Sequence, residues 1–158
     1  MRVLVWIVEE TWQATVAAAA AFLPADADIT LLYVRSDAET VARGARDALL
    51  GRSRRTSGEA LDAISEQGAR DLLADAQGAR DLLADPQAAL GRQAVLDARS
   101  GRIEYEVVAA AATADLIVLA RDEDHPRHGP RSLGPTARYV VDHAPSAVLL
   151  VWPDTPSR

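Results

Sequence analysis

The chain has 158 residues, 23 acidic and 17 basic, with a net charge of -6; 49% of it is apolar and 25% charged. That balance fits one globular domain with a sizeable core, and the acidic surplus argues against nucleic acid or an anionic membrane as a partner, since both need a basic surface. Cysteine, lysine and asparagine are absent, which excludes disulfides, thiolate nucleophiles, Schiff-base and P-loop lysines and N-linked glycosylation.

The opening MRVLVWIVEE is interrupted by Glu9 and Glu10 too soon to read as a signal peptide. The longest apolar stretch, VAAAAAFL at 16–23, is far short of the ~20 residues that span a bilayer, so the expected location is the cytoplasm. VLVWIV at 3–8 is a continuous apolar run rich in β-branched residues, as in a strand buried on both faces. Residues 11–22 read as an alanine-rich helix stopped by Leu23-Pro24. DITLLYV at 28–34 is a second strand, and the β-α-β order predicts a right-handed parallel crossover.

Residues 37–90 are helical in composition, with Gly51 as a stop and a polar linker, RSRRTSG, after it. The second helical pattern runs from Glu59 to Asp85-Pro86 and holds a duplication, GARDLLADAQ at 68–77 and GARDLLADPQ at 78–87. Ten residues at about 100° each rotate the copies by roughly 80°, so they cannot present identical faces. One apolar seam survives: Ala69, Leu72, Ala76, Ala79 and Leu83. We read the duplication as a slipped copy that lengthened a surface helix; the alternative is a partner-binding helix.

RQAVLDA at 92–98 is predicted as a third strand, ended by a turn at Ser100-Gly101. GRIEYEVVAAAA is a helix with Ile103, Val107, Val108 and Ala111 near one face. DLIVLA at 115–120 is a fourth strand, 137–143 a helix ended by Ala144-Pro145, and AVLLVW at 147–152 a fifth strand. Strands alternating with helices predict an α/β fold with a single open doubly wound five-stranded sheet. Ligands bind such sheets beyond the carboxyl ends of the strands; if strands one and four are neighbours, Glu9 and Glu10 meet the loop after strand four in one crevice.

That loop, RDEDHPRHGPRSLGPTAR at 121–138, is long and rich in charge, proline and histidine. His125 and His128 stand beside Asp122 and Asp124, but without a strict ligand spacing we assign no metal site. His143 is expected to cap the last turn of its helix. No catalytic set stands out, and no G-x-S-x-G elbow is present. Trp6, Trp12 and Trp152 read as core or interface.

The run DLIVLA, a glycine-bearing loop and LGPTARYVVDHAPSAVLLVW resemble the end of a universal stress protein domain, with YVVDHAPSAVLLVW the most specific part. MRVLVWIV and ITLLYV resemble its first two strands. The resemblance implies a parallel sheet of order 3-2-1-4-5 over residues 1–153, with a lengthened helical segment at about 37–90 and a short tail at 154–158. It also implies ATP as the cofactor to test and a homodimer formed through the last strand.

The ATP-binding pattern of that family is degenerate in this chain. Its first glycine falls at Ala120 and its second at Glu123; Gly134 is kept, but Pro135 follows it where a hydroxyl residue belongs, and Thr136 comes one place late. The strand-one aspartate falls at Val8, and Glu9 and Glu10 stand where small residues are usual. Phosphate loops need free N–H groups, and Pro126, Pro130 and Pro135 remove three. Glu9, Glu10, Asp122, Glu123 and Asp124 face only Arg121, Arg127 and Arg131, and each like-charge approach costs about 1–4 kcal/mol. Magnesium could bridge them, but it usually takes only one or two carboxylates.

If ATP binds, the phosphate end comprises Arg127, Gly129, Arg131, Ser132, Gly134 and Thr136. The apolar edge Ala147, Val148, Leu149, Leu150, Val151 and Trp152 is expected to pair antiparallel with a second copy. The expectation is a dimeric binding or regulatory protein, non-catalytic, with weak or lost ATP binding and an unidentified protein partner. The alternatives are an ATP-binding, slowly hydrolysing protein and a metal-dependent enzyme using the acidic crevice.

Overall fold

A computed structural model describes residues 1–36, 77–78, 80–121 and 133–153. Its elements are β1 (Arg2–Ile7), α1 (Trp12–Phe22), β2 (Asp28–Ser36), α2 (Ala84–Leu90), β3 (Val95–Gly101), α3 (Ile103–Ala111), β4 (Leu116–Ala120), α4 (Pro135–His143) and β5 (Ala147–Val151). The five strands are all parallel and lie in the order β3-β2-β1-β4-β5, the fold class expected from the sequence.

The central position of β1 explains its composition. It is flanked by β2, with Val3 beside Ile29, and by β4, with Val3 beside Leu116. Helices cover both faces, so alternation would leave a polar side chain without water. Val3, Val5 and Ile7 pack with Val16 and Ala19 of α1, with Leu23 just after it, and with Leu83 and Leu90. Leu4 and Trp6 pack on the other face with Val107, Ala110 and Ala111 of α3 and with Ala137 and Val140 of α4. Alanine dominates these helix faces and brings them close to the sheet.

Among the strands, β3 departs furthest from the sequence expectation. β3 lies at 95–101 rather than 92–98, and Ser100-Gly101 belongs to the strand rather than to a turn. β2 extends to Ser36, and its backbone pairs residue by residue as far as Ser36 beside Gly101; that ladder overrides the local turn signal. Gly101 then turns the chain at φ 150°, a conformation that favours glycine.

The helical pattern expected to end at Asp85-Pro86 instead breaks at Leu82-Leu83 and restarts as α2. Pro86 cannot donate to the carbonyl of Leu82, which breaks the preceding helix, but in the first turn of α2 its missing N–H costs nothing. Of the apolar seam, Leu83 is fully buried in the core; Ala69, Leu72, Ala76 and Ala79 lie outside the described residues, as does the first repeat copy except Gln77. The tail at 154–158 also lies outside them.

At the amino ends of the strands, Asp115 ties three of them. Its carboxylate accepts the Arg2 amide at 2.8 Å and the Arg2 guanidinium at 3.0 Å. Its backbone carbonyl accepts the Ala147 amide at 3.2 Å. At the far end of α4, the Nδ1–H of His143 donates to the Tyr139 carbonyl at 2.8 Å, and its ring stacks on Tyr139 at 4.0 Å. It thus caps the last turn, as its position suggested. Among the described residues no helix is long and apolar enough to cross a membrane.

Candidate functional site

The chain order reverses at β1: its sequence neighbour β2 lies on one side and β4 on the other. The segments leaving β1 and β4 therefore part from each other and open a crevice beyond their carboxyl ends. A cleft of about 250 Å³ occupies that place. It is lined from β1 and the turn after it by Trp6, Ile7, Val8, Glu9, Glu10 and Thr11, and from β2 by Tyr33 and Val34. Ile103, Ala120, Thr136 and Ala137 complete the wall.

A tight turn sets the two glutamates in place. The Val8 carbonyl accepts the amides of Thr11 at 3.1 Å and Trp12 at 2.9 Å, closing the chain over Glu9 and Glu10 and starting α1. Thr11 is buried, and its carbonyl accepts the Thr15 hydroxyl at 3.1 Å. The Tyr33 hydroxyl donates to Glu9 Oε1 at 3.0 Å. Among the described residues, Glu9 has no other polar partner and Glu10 has none.

The opposite wall is the start of α4. Gly134 is its N-cap, with φ -60° and ψ 162°, and accepts the Arg138 amide at 2.9 Å. Among the described residues no side chain caps this end, and Pro135 stands at the first helical position. That placement removes a donor which would have been unpaired in any case. Thr136 and Ala137 follow at the cleft, where first-turn amides are free of helix partners.

The expectation that Glu9 and Glu10 share a crevice with the end of β4 is met through Ala120. Of the six residues expected at a phosphate end, Thr136 lines the cleft and Gly134 precedes it; Arg127, Gly129, Arg131 and Ser132 lie outside the described residues. So do Asp122, Glu123, Asp124, His125 and His128. Val8, at the place of the strand-one aspartate, lines the cleft without bringing a charge. Tyr33 was not singled out from the sequence, and Ile103 was read there only as part of a helix's apolar face. A hydroxyl-bearing aromatic near the end of an otherwise apolar strand is the signal that could have found Tyr33.

A larger groove of about 640 Å³ lies at the opposite, amino ends of the strands, with Arg2, Thr30, Val95, Asp97, Arg99 and Thr113 in its walls. Its arginines are already engaged: Arg2 with Asp115 at 3.0 Å, Arg99 with Asp97 at 2.9 Å and Glu106 at 3.5 Å. The hydrogen bond that Arg99 donates to the Asp97 carboxylate holds its guanidinium above its ordinary range. We place the functional site in the smaller cleft, because topology converges on it and no cation among the described residues lines it beside its carboxylates.

Comparison with known proteins agrees with this architecture. The family model described as "Universal stress protein family" matches residues 1–151. Universal stress protein UspA from Lactobacillus plantarum is similar in structure, with a TM-score of 0.55 and 20% identity over 96% of this chain and 97% of that one. A universal stress protein from Archaeoglobus fulgidus gives 0.58 and 14% over 96% and 98%. A universal stress protein solved in complex with cAMP gives 0.54 and 17% over 96% of each. At these identities the likeness is one of fold. No curated protein matches the chain.

Proposed function

The chain belongs to the universal stress protein family, and from that premise we propose that it is a non-catalytic, homodimeric binding protein with weak or lost affinity for ATP. One observation carries the reading: the lining of the switch-point cleft brings two carboxylates, Glu9 and Glu10, and no cation among the described residues. A polyphosphate placed there meets like charge, at about 1–4 kcal/mol per close approach. A structural neighbour solved in complex with cAMP supports a nucleotide-type ligand for this fold, while the carboxylates set this chain apart from a strong phosphate binder.

The dimer follows from the contrast between the two outer strands. β3 carries Asp97 and Arg99, and charge on an edge strand discourages pairing. β5 reads AVLLV, with no charge and four half-buried apolar side chains, and Trp152 beside it is 50% exposed. A long apolar edge of this kind favours antiparallel addition of a second copy across residues 147–152.

A second reading, an ATP-binding and slowly hydrolysing protein, is favoured by one feature. The uncapped start of α4, with Gly134 and Thr136, abuts the cleft and suits an anion. Calorimetric titration with ATP and magnesium separates the two. No heat at millimolar ATP, with a dimer mass in solution scattering, supports the first reading. Tight binding overturns it in favour of the second.

A further inference from the structure

The reading above leaves the ligand unnamed, and this inference rests on its placement of the site in the cleft. We propose that the cleft takes an uncharged nucleoside and that Glu9 is the residue selecting it over the phosphorylated form.

Size comes first. Small-molecule clefts usually offer roughly 300–1,000 Å³, and this one offers about 250 Å³. A cleft of that size has room for a base and a sugar. The walls are of two kinds. Trp6, Val34, Ile103 and Ala137 give an apolar slot suited to a flat ring, while Glu9, Glu10 and Thr136 bring oxygen.

Glu9 is the polar group held in position. Tyr33 is 8% exposed and sits in a strand paired on both sides, and its hydroxyl donates to Glu9 Oε1 at 3.0 Å. A carboxylate only accepts, with about four lone-pair sites. Tyr33 occupies one, and the rest suit hydroxyl donors, of which a ribose supplies a vicinal pair. The same charge repels a phosphate. A neutral nucleoside therefore gains hydrogen bonds where its monophosphate gains repulsion.

The test is calorimetry of the full chain with adenosine, 2′-deoxyadenosine, AMP and ATP as probes. Adenosine is expected to bind roughly tenfold or more tightly than AMP, and 2′-deoxyadenosine more weakly than adenosine. Glu9→Gln keeps an acceptor for Tyr33 but removes the charge, and is expected to narrow the adenosine-to-AMP ratio by tightening AMP. Tyr33→Phe, which releases Glu9, is expected to weaken adenosine without restoring AMP.

AMP binding as tightly as adenosine overturns the inference. So does a ratio unchanged in a folded Glu9→Gln protein. Absence of adenosine binding at millimolar concentration also overturns it, while leaving the dimeric, ATP-weak reading standing. Tight ATP binding overturns that reading, whatever the adenosine-to-AMP ratio says of this one.

Discussion

Asp115 and Arg2, distant in sequence, meet through two hydrogen bonds: the Arg2 amide at 2.8 Å and its guanidinium at 3.0 Å both reach the Asp115 carboxylate. The contact fixes the start of β4 against the start of β1. The Arg2 amide, then its side chain, holds the Asp115 carboxyl below its usual range. A carboxyl whose pKa is lower folded than unfolded adds stability above the unfolded value of about 3.9 and loses it as pH falls through the folded value. Asp115→Asn is therefore expected to be less stable than the parent at pH 7, with the difference shrinking toward zero in more acid solution. Urea midpoints across that range check it, and a pH-independent difference would refute it.

The two leucines of the second repeat copy have opposite surroundings. Leu83 is fully buried, whereas Leu82 is 39% exposed. Leu83→Ala is expected to cost about 2–5 kcal/mol, as a cavity in a packed core does. Leu82→Ala should stay within about 0.5 kcal/mol. Equal losses in thermal or urea unfolding would contradict the burial.

Gly101 turns the chain from β3 into α3 at φ 150°, and a Cβ there would meet Glu106 Cγ at 3.1 Å. Displacing Glu106 would also disturb its ion pair with Arg99. Gly101→Ala is expected to destabilise by about 1–3 kcal/mol. An unchanged unfolding midpoint would count against the turn geometry.

On β5, the Ala147 amide and the Val151 carbonyl both face β4. Strand alternation then turns the N–H groups of Val148 and Leu150 toward the open edge. Proline at Leu150 removes an outward donor and leaves the β4 ladder intact. Leu150→Pro is expected to yield a folded monomer, with the mass in solution scattering halved and the circular dichroism preserved. A dimer that survives would move the interface elsewhere.

Much of this was legible in the chain itself. The unbroken apolar runs VLVWIV and DLIVLA identified β1 and β4 as doubly covered strands, because burial on both faces leaves no polar position. His143 was readable as a helix end, since that signal acts within one turn, whereas α4 starts at Pro135 rather than at the expected 137. Glu9 and Glu10 were readable as neighbours of the β4 end once the resemblance supplied the strand order 3-2-1-4-5. The length of β3 was not, because pairing along β2 sets it, and Ser100-Gly101 locally resembles a turn.

The sequence by itself determined the element order and the fold class, which follow from periodicity and residue type operating over a few neighbouring positions; the resemblance to a known family added where the sequence departs from its phosphate-binding pattern. Only the tertiary structure decided that Tyr33 holds Glu9, 24 residues away, that Asp115 holds Arg2, 113 residues away, and that Leu83 rather than Leu82 enters the core. Contacts of that span arise when separate elements close around a common sheet, and no local pattern encodes which side chains will then stand within hydrogen-bond reach.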